Sequence, residues 1–124
     1  MGKKILVVDD SSVMRKSIMF MVRQSGYEIC EANNGREALE WLRDNRPDLI
    51  ICDVNMPVMD GISFLKKIKQ DDEYALCRFI PVLMLTTESE KSMIDEGKKA
   101  GVRAWMNKPF DPDKLLASMK MILG

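Results

Sequence analysis

Acids, a hydroxyl pair and a lysine recur at one kind of position in this chain, the end of an apolar run. Asp9-Asp10 close KILVVDD, Asp53 closes LIICD, Thr86-Thr87 close PVLMLTT, and Lys108 directly follows RAWMN. Any one of these could be a helix cap or turn residue, and for a lone aspartate that reading wins. Taken together they weaken it, because a cap needs one acid where Asp9-Asp10 supply two. Three crowded carboxylates repel one another and raise their pKa values unless cations compensate. Lys108 offers one cation, and a hard divalent ion with oxygen ligands offers another. Mg²⁺ fits best, since it takes one or two carboxylates, keeps several waters and completes its shell with phosphate oxygens. Mg²⁺ beside a lysine and a hydroxyl suits stabilisation of charge on a phosphoryl group in transfer. A carboxylate in such a cluster can then be the nucleophile, forming an aspartyl phosphate.

The elements that must position these groups alternate between apolar runs and helical periods. Residues 4 to 9 read as a buried strand, and 12 to 25 as a helix with Val13, Met14, Ile18, Met21 and Val22 at helical spacing, stopped by Gly26. A short strand follows at 28 to 32, then a helix at 35 to 45 with Ala38, Leu39 and Leu42 on one face. The third strand spans 49 to 53, a helix 61 to 70, and the fourth strand 81 to 86. The helix from Glu90 to Ala100 has a thin apolar face of Met93, Ile94, Gly97 and Ala100. A fifth strand at 103 to 107 and a closing helix at 112 to 123 complete the series. Five βα units with buried strands predict a parallel sheet covered by helices on both faces. In such a sheet the ligand site lies beyond the carboxyl ends of the strands, where all the polar groups above fall. The stretch QDDEYALCRFI (70 to 80) reads as an elaborated surface loop.

Composition narrows the chemistry further. The 124 residues are enough for one domain, and 19 basic against 19 acidic residues leave no net charge, which argues against nucleic-acid binding through a strong positive field. Histidine is absent, which excludes Ser-His-Asp triads, Cys-His dyads and histidine-ligated zinc. Neither a signal peptide nor a run of about 18 apolar residues is present, so no membrane insertion is expected. Cys30, Cys52 and Cys77 are odd in number and scattered, with Cys30 and Cys52 in apolar runs. Buried free thiols in a reducing cytoplasm are the expectation. The eleven methionines read mostly as core filler. Met93, Met106, Met119 and Met121 are the ones that could instead supply contact surface.

The segments VVDDSSVMR, ICDVNMPVMDG, LMLTTESE and WMNKPF, in this order and spacing, resemble the signature segments of bacterial response-regulator receiver domains, most closely those of chemotaxis. The resemblance spans the whole chain. It implies a doubly wound (βα)5 flavodoxin-like fold with strand order 2-1-3-4-5, in a single receiver domain over residues 1 to 124 with no output domain. It implies Asp53 as phosphoacceptor and Mg²⁺ held by Asp9, Asp10, Asp53 and the backbone carbonyl of Asn55. Thr86 would contact the phosphoryl oxygens and Lys108 pair with them, with a cis peptide between Lys108 and Pro109. Asn55 and Glu88 would tune the lifetime of the aspartyl phosphate. Thr86 and Trp105 would form the switch that reshapes the face of helix 4, strand 5 and helix 5. A lone strand tryptophan is more often core, but Trp105 stands two residues before Asn107-Lys108-Pro109.

The implied partners are a sensor histidine kinase as donor, a flagellar motor switch protein or other phosphorylation-dependent target, and a phosphatase, with the chain itself a monomer. The protein would be a phosphoacceptor switch, not a classical enzyme, with self-phosphorylation from small donors and autodephosphorylation. A phosphorelay intermediate or a regulator of another pathway is the alternative role. Chemotaxis members commonly carry tryptophan after the phosphoacceptor, where this chain has Val54. An aspartyl-phosphate phosphatase of the haloacid-dehalogenase type would need a second aspartate two residues after the nucleophile, where Asn55 stands. A dinucleotide or flavin site would need a glycine- or hydroxyl-rich phosphate loop after strand 1, in place of VVDDSS.

Overall fold

The computed structural model describes residues 2–87 and 93–124. Its elements are β1 (Lys4–Val8), α1 (Ser12–Gln24), β2 (Glu28–Ala32), α2 (Gly35–Leu42), β3 (Leu49–Asp53), α3 (Gly61–Gln70), a 3₁₀ segment (Asp72–Cys77), β4 (Val82–Thr86), α4 (Ile94–Ala100), β5 (Ala104–Asn107) and α5 (Pro112–Leu123). All strand pairs are parallel, in the order β2-β1-β3-β4-β5. The doubly wound architecture expected from the alternating pattern is therefore the one observed.

The strands are apolar on both faces because each face is covered. Alternate residues of the three central strands point to opposite sides. Ile5, Val7, Leu49, Ile51, Leu83 and Leu85 pack with Ile18 and Val22 of α1 and Leu115 and Met119 of α5. Leu6, Val8, Ile50, Cys52, Val82 and Met84 pack on the other side with α2, α3 and Ala100 of α4. Helix starts follow local capping chemistry. Ser11, Asn34, Asp60 and Asp111 each accept a backbone N–H of the helix they precede.

Residues 70–80 depart from the surface loop that their polar composition suggests. Asp72–Cys77 form a 3₁₀ segment whose Tyr74 and Cys77 are buried in the α2–α3 core, while Leu76 and Phe79 face outward. The Asp-rich opening is a cap, in which Asp71 accepts the Glu73 N–H at 2.9 Å, and the apolar residues behind it close the bottom of the sheet. Helix α2 also stops three residues short of the expected end, at Leu42. All three cysteines are free; Cys52 and Cys77 are buried but Cys30 is only half-buried, because β2 is an edge strand. Of the four methionines singled out above, Met119 is wholly buried, Met93 and Met106 pack partly against the core, and Met121 is 83% exposed.

Candidate functional site

The carboxyl ends of β1, β3, β4 and β5 bring their polar residues to one edge. Register places Asp53 beside Leu85, and Thr86 beside Asn107, so Lys108 follows directly in the adjoining turn. The turn is tied down by backbone bonds: Lys108 N–H donates to Thr86 O at 2.8 Å, and Val54 N–H to Leu85 O at 3.1 Å. The Lys108–Pro109 peptide is cis. Asp53 is held from below by helix α3. A Cβ on Gly61 would lie 2.3 Å from the Asp53 carbonyl oxygen, so only glycine lets the helix start this close to the strand.

Asp9, Asp53 and Thr86 are the buried polar residues among those described, each at most 4% exposed. The Lys108 ammonium lies 2.9 Å from Asp53 Oδ1 and 3.6 Å from Asp9 Oδ2. Burial alone would lower the Lys108 pKa, but the hydrogen bond and charge of Asp53, with Asp9 adding to them, leave it raised. The Asp9 carboxyl is pushed up, first by burial and then by the neighbouring Asp10 charge. The Ser11 N–H and Lys108 only partly counter this. The Thr86 hydroxyl donates to Thr87 O at 3.3 Å. Burial and the charge of the adjacent Asp53 push the Cys52 thiol up and keep it protonated.

One carboxylate oxygen from each of Asp9, Asp10 and Asp53 falls within 4.8 Å of the others. Ser11 N–H satisfies Asp9 Oδ1 at 2.9 Å, whereas the buried Asp9 Oδ2 accepts no hydrogen bond among the described residues. Its cationic neighbour, the Lys108 ammonium at 3.6 Å, is shared with Asp53, so three carboxylates leave room for a second cation. Three hard oxygen donors around one lysine ammonium fit Mg²⁺ in charge and ligand type. Asn55 lies exposed on the turn two residues beyond Asp53. Glu88 lies outside the described residues.

Trp105 projects from β5 onto the α2–α3–α4 side of the sheet, in register with Met84. Its ring packs against Gly97 of α4 and its buried Nε1 meets no acceptor among the described residues. Two residues of this neighbourhood escaped the sequence reading. Gly97 was seen only as part of a thin apolar face, yet it forms the notch that receives the indole. Arg15 closes the segment VVDDSSVMR, yet its role is not legible there, since its partners, Asp9, Glu31 and Asn33, come from two other segments.

Fold and site together define a doubly wound α/β domain with an acidic, lysine-bridged cluster at the carboxyl edge of its sheet. The chain belongs to the response regulator receiver domain family, whose model matches residues 5–120. It is 41% identical to the chemotaxis protein CheY1 of Helicobacter pylori over 98% of this chain and 97% of that one. It is also 37% identical to the sporulation initiation phosphotransferase F of Bacillus subtilis, over 99% of this chain and 95% of that one. Among solved structures it resembles the receiver domain of a sensor histidine kinase from Pseudomonas aeruginosa, which holds a magnesium ion coordinated in its active-site cleft. That match has a TM-score of 0.88 and 27% identity, covering 100% of this chain and 99% of that one. The protein is thus a CheY-like receiver of two-component signalling. Among the described residues no helix is long and apolar enough to cross a membrane.

Proposed function

We propose that this chain is a phosphorylation switch whose Asp53 accepts a phosphoryl group from the phosphohistidine of a sensor kinase. The observation that carries this reading is the Lys108 ammonium 2.9 Å from Asp53, inside a cluster of three carboxylates. An Asp53 oxygen attacks phosphorus, a P–O bond forms, and the P–N bond breaks with its electron pair passing to the departing imidazole nitrogen. Lys108 neutralises charge on the phosphoryl oxygens, and the Thr86 hydroxyl, at the end of β4, turns to donate to one of them. Asp9, Asp10, Asp53 and the Asn55 carbonyl are the residues that would hold Mg²⁺, which supplies Lewis-acid neutralisation of the transferring group. With no histidine of its own, the chain receives from such donors and cannot be one.

Movement of Thr86 toward the phosphoryl group frees space that Trp105 follows, altering the surface of α4, β5 and α5. The target read by that surface is the flagellar motor switch, with autodephosphorylation, tuned by Asn55 and Glu88, ending the signal. The likeness to a CheY1 favours this; the comparable likeness to a sporulation phosphotransferase supports a phosphorelay role as the second reading. The three free thiols suit a cytoplasmic protein.

Incubation with Mg²⁺ and a small acyl phosphate, followed by intact mass, tests the central step. One added phosphoryl group on the wild type and none on Asp53→Asn is the expected result. Undiminished labelling of Asp53→Asn would overturn it. Binding of phosphorylated and unphosphorylated forms to a flagellar-switch peptide tests the chemotaxis role, which equal binding would refute.

A further inference from the structure

Arg15, on the first turns of α1, spends its guanidinium on three acceptors. Nη1 donates to the backbone carbonyl of Asp9 at 2.6 Å and to Asn33 Oδ1 at 3.0 Å, while Nε donates to Glu31 Oε1 at 2.8 Å. The side chain is only 14% exposed. One planar fork therefore ties the Asp9 carbonyl to the end of β2 and the residue after it. This carbonyl belongs to the peptide that joins Asp9 to Asp10. Because a peptide is planar, its orientation sets the direction in which the chain leaves for Asp10. The Asp9 carboxylate is fixed separately, by the Ser11 N–H. Asp10 is exposed, so no packed neighbour restrains its side chain and the backbone sets the point from which its carboxylate reaches the cluster.

We infer that Arg15 is a positioning residue for the cation site: by holding the Asp9–Asp10 peptide, it keeps the Asp10 carboxylate converged on those of Asp9 and Asp53. The inference rests on the Mg²⁺ reading above and adds a residue that touches neither ion nor phosphoryl group. It also has a sign that simple charge does not share. A cation this close to an acidic cluster repels Mg²⁺, so removing it by charge alone tightens binding. Removing a positioning contact loosens it. Lysine in its place keeps the charge but cannot satisfy three acceptors in a fixed plane.

Titration calorimetry with MgCl2 on the full chain separates these outcomes, with thermal melting in the absence of Mg²⁺ as a fold control. Arg15→Met, which keeps the aliphatic stem, is expected to bind Mg²⁺ about ten-fold more weakly, the range seen when an outer contact to a metal ligand is lost. Arg15→Lys is expected to recover part of that loss and stay roughly three-fold weaker than wild type. Wild-type or tighter affinity in Arg15→Met overturns the inference while leaving the Mg²⁺ reading intact. Should Arg15→Met fail to fold, Arg15→Lys decides, and wild-type affinity there overturns it equally. A wild type that takes up no Mg²⁺ overturns both.

Discussion

Replacing Gly97 with alanine tests how tightly Trp105 is seated beneath α4. A Cβ at this position would stand 2.3 Å from Cζ2 and 2.6 Å from Cη2 of the indole, and 3.1 Å from Ile62 Cδ1. The nearest of these is about 1 Å inside ordinary carbon contact, so the ring or the helix must move by that much. Neither is a flexible chain end: the ring is fused and α4 has one side against the core through Ala100. Overpacking of this kind costs roughly 1–3 kcal/mol, and the better helix propensity of alanine returns about 1 kcal/mol. The net loss is about 1 kcal/mol, which for a chain of this size lowers Tm by roughly 4 °C. Relief by expulsion of the ring exposes Trp105 to water. The assay is thermal melting together with emission and acrylamide quenching in a Trp41→Phe background, where Trp105 is the sole reporter. The expected result is a lower Tm, a red-shifted emission and stronger quenching. Pairing Gly97→Ala with Trp105→Phe, which lacks the fused ring atoms in the clash, should recover the stability in a double-mutant cycle. A Gly97→Ala protein as stable as the parent, with unchanged emission, would refute the reasoning. If Trp105 is the switch aromatic, the same variant should alter target binding without phosphorylation.

Two further perturbations follow from the site. Val58 has φ 71° and is 70% exposed, in a three-residue turn closed by Met59 N–H to Pro57 O at 2.7 Å. Because a β-branched residue is strained there by roughly 1–3 kcal/mol and glycine costs less than 1 kcal/mol in entropy, Val58→Gly should raise the unfolding free energy by about 1 kcal/mol; a lower denaturation midpoint would refute this. The Asp9 carboxyl is raised by burial, so the folded metal-free protein holds its proton more tightly than the unfolded chain does. Its contribution to stability therefore falls as pH rises from the ordinary aspartate value of 3.8 through the raised folded value, and the charged form destabilises the fold at neutral pH. Asp9→Asn should stabilise the metal-free protein at pH 7 by on the order of 1 kcal/mol and weaken this part of the pH dependence. Melting curves across that pH range check it, and a less stable Asp9→Asn protein at pH 7 would show that the Lys108 pairing outweighs burial.

Much of this protein was legible in the chain because the signals are local. The expected bounds of β2, β3, α3 and α5 are the observed ones, because apolar runs and helical periods are readable within a few residues. The edge that gathers Asp9, Asp10, Asp53, Thr86 and Lys108 was legible for the same reason, since a parallel sheet sends every strand end to one side. What failed depended on residues far apart. The segment 70–80 looks polar and loop-like, but whether Tyr74 and Cys77 are buried is decided by α2 and α3 beneath them. Gly97 is one small residue on a weak helix until the Trp105 ring from β5 fills the space above it. Arg15 acquires a purpose only when β2 lies beside β1 and sets Glu31 and Asn33 next to the Asp9 carbonyl. By itself the sequence determined which residue types stand at the strand ends, because periodicity and capping are written in neighbouring positions. The tertiary structure alone decided their distances, their burial and the contacts that aim them, because those are set by pairs of atoms brought together from different elements.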